Sequence, residues 1–535
     1  MPQLLRLLPV LLFLLLPAFL PSALAQEAGE AELGRRIEEI IQQGGAGKGF
    51  WGIEVYSPAR GRVIYSRNAD RYFSPASVTK LFPTAAALAL EGPDYRFRTL
   101  VGARARIDRL GRLLGHLYFV GGGDPDLGGC ALPYSPEEEE DDCDPTAVLD
   151  ELAQQVRRQG VETIMGDLII DQSFFSMEPY PVEWTVGDLL WSYGAPVRAL
   201  SLADNTLTIT VEPGERPGDP ARLTWKPDSR FYEILNSTWT AGETLLWVRR
   251  DPGSRVLEIS GPVAFSLEPK EVRELRIAIE EPSLFIGELF LDALERQGVQ
   301  LRGQIRVNFL PAPPFTGEQT RLLPLLLAEH LSRALVEDVT LVNKTSQNLH
   351  AEMLLRLLGR REPPQAPLEE RPRQPHEPPP RRGDGSTEAG LEVLRAWLAN
   401  AGVNPRDVEL YDGSGLSRRN LVTPHAVVRL LGYADAQPWG PLFRESLAVA
   451  GVDGTLKERM RNSPARGRVR AKSGTLAHTN ALAGFVETQS GERLIFAIIV
   501  NHHTLPEGEA LGLLDEICAA LVELPPEEKK IENRN

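Results

Sequence analysis

The chain has 535 residues, 42% of them hydrophobic, with 73 acidic against 58 basic side chains and a formal net charge of −15. That length allows about two to four domains with a substantial core, and the acidic balance disfavours nucleic acid and anionic membrane surfaces as partners. Three cysteines and eight scattered histidines exclude a disulfide scaffold and show no zinc spacing, so neither a metal nor a cofactor is expected.

Residues 1–25 carry one arginine, a long leucine-rich run and Ala23-Leu-Ala25 before Gln26, the pattern of a cleaved secretory signal. A retained anchor is the rival reading, because the apolar run approaches spanning length; the Ala-x-Ala end favours cleavage, hence export and no stable transmembrane anchor. Leu33, Ile37, Ile40 and Ile41 then mark an amphipathic helix, and Gly52–Tyr56 with Val63–Tyr65 mark a hairpin.

Phe73-Ser-Pro-Ala-Ser77-Val-Thr-Lys80, followed by an alanine-rich run to Leu90, reads as a turn feeding a helix. Residues three apart share a helix face, so a neutral Lys80 amine reaches the Ser77 hydroxyl and takes its proton. The Ser77 amide at the helix start is one oxyanion donor. Pro83 predicts a bend in that helix. Alone, the pair reads rather as an N-terminal cap with a solvated lysine.

A long stretch follows that is mostly short strands and turns, with strands at Leu113–Val120, Leu207–Val211 and Arg255–Ile259 and helices near Thr146–Arg158 and Leu284–Gln297. Cys130 and Cys143 flank an acidic run, 137–142, and are open to either a disulfide in an oxidising compartment or two free thiols.

Ser346-Gln-Asn348 stands directly before an amphipathic helix. Ser346 is placed to shuttle a proton to a leaving amine, and Asn348 to orient Lys80 and hold a substrate carbonyl; a plain helix cap is the alternative. Residues 361–385 contain eight prolines among Arg, Glu and Gln, a composition that builds no core and has no catalytic part.

Lys472-Ser473-Gly474-Thr475 lies on an alternating segment followed by Leu482–Val486 and Leu494–Val500, which read as neighbouring antiparallel strands. Lys472 and Thr475 suit a substrate carboxylate, Gly474 admits a substrate strand close to the backbone, and the Thr475 amide is a second oxyanion donor. An exposed edge-strand lysine is the alternative. Cys518, on the apolar face of a C-terminal helix, is expected to be a buried thiol.

Order and neighbours of the three stretches resemble the low-molecular-mass class C penicillin-binding proteins, serine D-Ala-D-Ala carboxypeptidases that often also cut peptidoglycan crosslinks. Supporting signatures are Gly121–Leu127, Gly166–Asp171, Tyr193–Pro196 with Ser201–Asn205, Asp412–Arg418 and Gly451–Leu456. The resemblance implies an α+β fold: a penicillin-binding/β-lactamase-like catalytic domain from 26–97 and 312–535, its antiparallel sheet flanked by helices, with a β-rich insertion, 98–311, forming accessory domains. Position by position it implies Ser77 as acylated nucleophile, Lys80 as base, Ser346 and Asn348 as second wall, Lys472 with Thr475 as carboxylate holders, and Asp171 and Arg418 as readers of the stem-peptide diamino acid. Ser473 stands where threonine is usual. The expected partners are peptidoglycan stem peptides and crosslinks, with β-lactams as inhibitors, in the periplasm or outside the cell. Related serine hydrolases (a β-lactamase or an esterase) and a noncatalytic wall-binding protein are the alternatives.

Overall fold

The computed structural model describes residues 21–136, 143–265, 273–310, 323–363 and 383–526. Most of the signal segment and most of the proline-rich segment lie outside the described residues. No helix among the described residues is long and apolar enough to cross a membrane.

The catalytic part is built on a six-stranded antiparallel sheet. Its strands are β1 (Phe50–Ser57), β2 (Arg62–Arg67), β3 (Ala448–Val449), β4 (Val469–Leu476), β5 (Thr479–Glu487) and β6 (Arg493–Asn501), in the order β3-β4-β5-β6-β1-β2. Successive side chains of a strand point to opposite faces. Here both faces are apolar: Ile495, Ala497 and Ile499 enter one core, and Leu494, Phe496, Ile498 and Val500 enter another. Each face is therefore covered. The first packs on the Leu81–Leu90, Asn348–Leu358 and Pro424–Asp435 helices, and the second on the Pro21–Ile41 and Glu507–Val522 helices. The expected amphipathic residues Leu33, Ile37, Ile40 and Ile41 and the thiol of Cys518 are all buried in that second core.

The excursion has its own core, joining the Ala147–Arg158 and Pro282–Arg296 helices to several small sheets. Its largest sheet pairs Arg98–Ala103 with Leu325–Leu331, so the return strand of the excursion runs beyond the residue-311 boundary expected from sequence. The single strand expected at Leu113–Val120 is two, Arg112–Leu113 and Leu117–Val120. They belong to different sheets, because the chain turns at Leu114–His116 and Gly115 packs a backbone against the Ala105 methyl.

Cys130 and Cys143 form a disulfide. The loop it closes reaches the catalytic part: Tyr134 Oη accepts a hydrogen bond from the Gly454 amide at 2.8 Å, and Lys457 Nζ donates to the Pro136 carbonyl at 3.1 Å. Tyr134→Phe removes the only side-chain acceptor of that amide seen here and is expected to cost about 1 kcal/mol of stability. Thermal unfolding checks this, and an unchanged melting temperature would show that the contact is not stabilising.

Candidate active site

The nucleophile turn is shaped by two glycines. Ala76 is buried with φ 48, the left-handed region, and Ala76–Lys80 forms a 3-10 turn before the α-helix Leu81–Leu90. In a 3-10 turn residues i and i+3 eclipse, and Lys80 Nζ accordingly lies 2.9 Å from Ser77 Oγ. Pro83 falls in the first turn of the α-helical segment, where an N–H has no intrahelical partner to lose. A change of helix type thus replaces the interior bend expected from sequence. A Cβ on Gly415 would lie 1.9 Å from the Ala76 carbonyl oxygen, and one on Gly474 would lie 2.8 Å from Pro75 O and 2.9 Å from Ser77 N. The chain's own nucleophile turn therefore comes close to Gly474.

Lys80 is fully buried. Its Nζ also donates to Asn348 Oδ1 at 2.7 Å and to the Ser414 carbonyl at 2.6 Å. Burial lowers its pKa from 10.5 to about 7, against the opposing charges of Asp412 and Glu352. A neutral amine has two hydrogens and one lone pair. Both neighbours are pure acceptors and take the hydrogens, which leaves the lone pair for the Ser77 hydroxyl.

The second stretch joins two helices. Ser346 caps the end of Leu335–Thr345 in the left-handed conformation, and the start of Asn348–Leu358 is capped by Gln347, whose side chain accepts from the Leu349 amide. The cap belongs to Gln347, so Ser346 and Asn348 are free of that duty. Asn348 Nδ2 donates to the Tyr193 carbonyl of the excursion at 2.8 Å, fixing which end of the carboxamide faces Lys80.

Lys472 is fully buried on β4, between β3 and β5, and so is not an exposed edge lysine. Its Nζ donates to Ser346 Oγ at 2.9 Å and to the Ser473 carbonyl at 2.8 Å. Burial first, then repulsion from Lys80, holds its pKa well below the usual lysine value. Ser473 Oγ donates to Thr455 Oγ1 at 2.7 Å, and exposed Thr475 accepts from Asn480 Nδ2 at 3.1 Å. The hydrogen bonds thus form two sets, Ser77–Lys80–Asn348 and Ser346–Lys472.

Arg418 and Asp171, expected to read the diamino acid, have hydrogen bonds with residues outside those two sets. Arg418 is exposed beside the turn after β4 and makes a long contact, 3.5 Å, to the Ala477 carbonyl. Asp171 ends an excursion strand, where its carboxylate accepts from Asn308 Nδ2 at 3.0 Å and from the Ser173 amide at 2.9 Å. Those partners lie in the excursion.

Several participants were not singled out from sequence. Asp412 is buried and accepts from the amides of Gly415 and Ser417, from Asn420 Nδ2 and from Trp184 Nε1, which shapes the loop whose Ser414 carbonyl holds Lys80. His350, fully buried two residues past Asn348, lies 2.9 Å from Asp204 of the excursion and 3.5 Å from Asp338. Against the cost of burial, those carboxylates raise its pKa to about 10 and keep it charged.

A serine beside a buried lysine, faced by a Ser-x-Asn wall and a Lys-Ser-Gly strand on a helix-flanked antiparallel sheet, defines the class: a low-molecular-mass class C penicillin-binding protein. The chain belongs to the D-Ala-D-Ala carboxypeptidase 3 (S13) family, which it matches over residues 33–369 and 379–519, and is a serine D-Ala-D-Ala carboxypeptidase. It is 34% identical to a D-alanyl-D-alanine carboxypeptidase of Actinomadura sp. (strain R39), covering 96% of this chain and 89% of that protein. It is 25% identical to the D-alanyl-D-alanine carboxypeptidase DacB of Haemophilus influenzae, over 84% of this chain and 85% of the other. In fold it resembles the crystal structure of penicillin-binding protein 4 of Haemophilus influenzae, with a TM-score of 0.71, 22% identity, and 91% and 98% of the two chains covered.

Proposed function

We propose that the protein is an exported peptidase that removes the terminal D-Ala of peptidoglycan stem peptides, and opens D-Ala-diamino acid crosslinks, through an acyl-enzyme on Ser77. Neutral Lys80 takes the Ser77 proton as Oγ attacks the carbonyl carbon, and the amides of Ser77 and Thr475 receive the developing oxyanion. Ser346, hydrogen-bonded to Lys472, gives its proton to the departing amine and takes in its place the one that Lys80 received from Ser77. Lys472 and Thr475 hold the terminal carboxylate, whose negative charge favours the ammonium form that burial disfavours in the empty site. Water then attacks the acyl-enzyme, releasing the trimmed peptide and free Ser77. A β-lactam enters the same path at the first step.

The observation that carries this reading is the lone-pair assignment at Lys80, whose two acceptors leave Ser77 as the proton's source. Intact-mass measurement after exposure to benzylpenicillin should show one adduct, located on Ser77 and absent from Ser77→Ala. An unmodified wild-type protein would overturn the proposal. A digest of purified peptidoglycan, its products identified by mass, separates terminal trimming from crosslink opening.

The pH dependence follows from the sign of the Lys80 shift. The reactive form is the neutral amine, and its pKa is near 7, so the second-order acylation rate is expected to rise about tenfold per pH unit below that value and to level off above it. A rate that stays flat between pH 5 and 9 would rule Lys80 out as the base.

A further inference from the structure

The Asn348–Leu358 helix carries more of the site than its first residue. Asn348, Glu352 and Arg356 are four apart, one helical turn each, and so share a face. Glu352 and Arg356 are fully buried within a run of leucines. The Glu352 carboxylate accepts from the Gly413 amide at 3.0 and 3.1 Å and from the Ser414 amide at 2.7 Å. The same Ser414 presents its carbonyl to Lys80 at 2.6 Å. One helix face therefore provides both acceptors that consume the Lys80 hydrogens, Asn348 directly and Glu352 through one residue of backbone.

We propose that Glu352 is a positioning residue for acylation: its carboxylate clamps the Gly413–Ser414 amides, so that the Ser414 carbonyl fixes one Lys80 hydrogen and the Lys80 lone pair stays on Ser77. This rests on the reading of Lys80 as base. Two carboxylates, Glu352 and Asp412, face Lys80 and favour its protonated form. Burial first, then the charge of Asp412, raises the Glu352 pKa to about 7, against the hydrogen bonds from Ser414 and Gly413 that favour its ionised form. The clamp thus has a geometric and an electrostatic effect, and they separate experimentally. Removing the carboxylate's charge lets Lys80 lose its proton at lower pH; removing its acceptors lets the Ser414 carbonyl drift.

The test is the pH profile of acylation by a chromogenic cephalosporin for the full-length wild type, Glu352→Gln and Glu352→Ala. Glu352→Gln keeps an acceptor and loses the charge. Its rising limb should move to lower pH, with a high-pH plateau within about tenfold of wild type. Glu352→Ala loses both, and its plateau should fall about 100-fold, the scale of a misplaced catalytic group. Glu352→Asp, which restores the charge on a shorter arm, should return the limb towards the wild-type position. A loss of folding alone would not shift the limb of the surviving active fraction. A Glu352→Gln limb superimposed on wild type, or a folded Glu352→Ala with a wild-type plateau, would overturn the proposal. A wild type that is not acylated would instead bring down the Lys80 reading itself, and this inference with it.

Discussion

Lys80→Met is expected to lower the acylation rate of Ser77 by about 10²–10⁴-fold, the range removed with a positioned general base. Methionine fills nearly the same volume and is at home in an apolar interior, so the packing around a fully buried position is kept while the base is deleted. Asn348 Oδ1 and the Ser414 carbonyl lose a shared donor, which lies 2.7 and 2.6 Å away in the wild type. The Ser77 hydroxyl loses the group that would accept its proton. The rate of benzylpenicillin adduct formation, followed by mass, reads this directly. A folded Lys80→Met protein acylated within about tenfold of wild type would move the base to another residue.

Gly474→Ala should be nearly as damaging, through geometry alone. The added methyl would stand 2.8 Å from Pro75 O and 2.9 Å from Ser77 N, both backbone atoms that no side-chain rotation can clear. Either β4 or the nucleophile turn must shift, and a displacement of about 1 Å can cost about 100-fold in rate. The overpacking itself is expected to cost about 1–3 kcal/mol of stability. Gly491→Ala is the matched control: φ is +83 there, yet nothing lies within 4 Å of the new Cβ. It should lower the melting temperature and leave acylation unchanged. Equal acylation rates for the two variants would show that Gly474 does not govern the placement of Ser77.

The residues proposed for catalysis were legible because each motif is local and its chemistry needs named side chains. Ser77 and Lys80 are three apart, Ser346 and Asn348 two apart, and Lys472 heads a strand-like alternation. The sheet was legible too, since β5 and β6 are long, apolar and close in sequence. What escaped the sequence is largely backbone. The carbonyls of Ser414 and Tyr193 are available from any residue and leave no trace in composition. Glu352 and His350 did leave a signal, since an apolar helix face rarely carries a histidine, a glutamate and an arginine unless they are paired. Asp412 was visible only as part of a signature. Its hold on the amides of Gly415 and Ser417 and on Asn420 depends on the turn conformation, which spacing does not encode. The contact of Gly474 with the nucleophile turn left no local signal because that turn is nearly 400 residues earlier in the chain.

The pairing of β1 with β6, Trp51 opposite Val500, sets when activity can begin. The first strand and the last one among the described residues are neighbours in the sheet, and Lys472 sits on β4, sequentially just ahead of that closing partner. A ribosome must therefore have released almost the whole polypeptide before the nucleophile turn meets the strand it leans on. Until then the growing chain holds Ser77 and Lys80 apart from Lys472 and the strand that carries it. A peptide-cutting centre built this way stays silent during synthesis without a propeptide or an inhibitor, because its own topology delays its assembly.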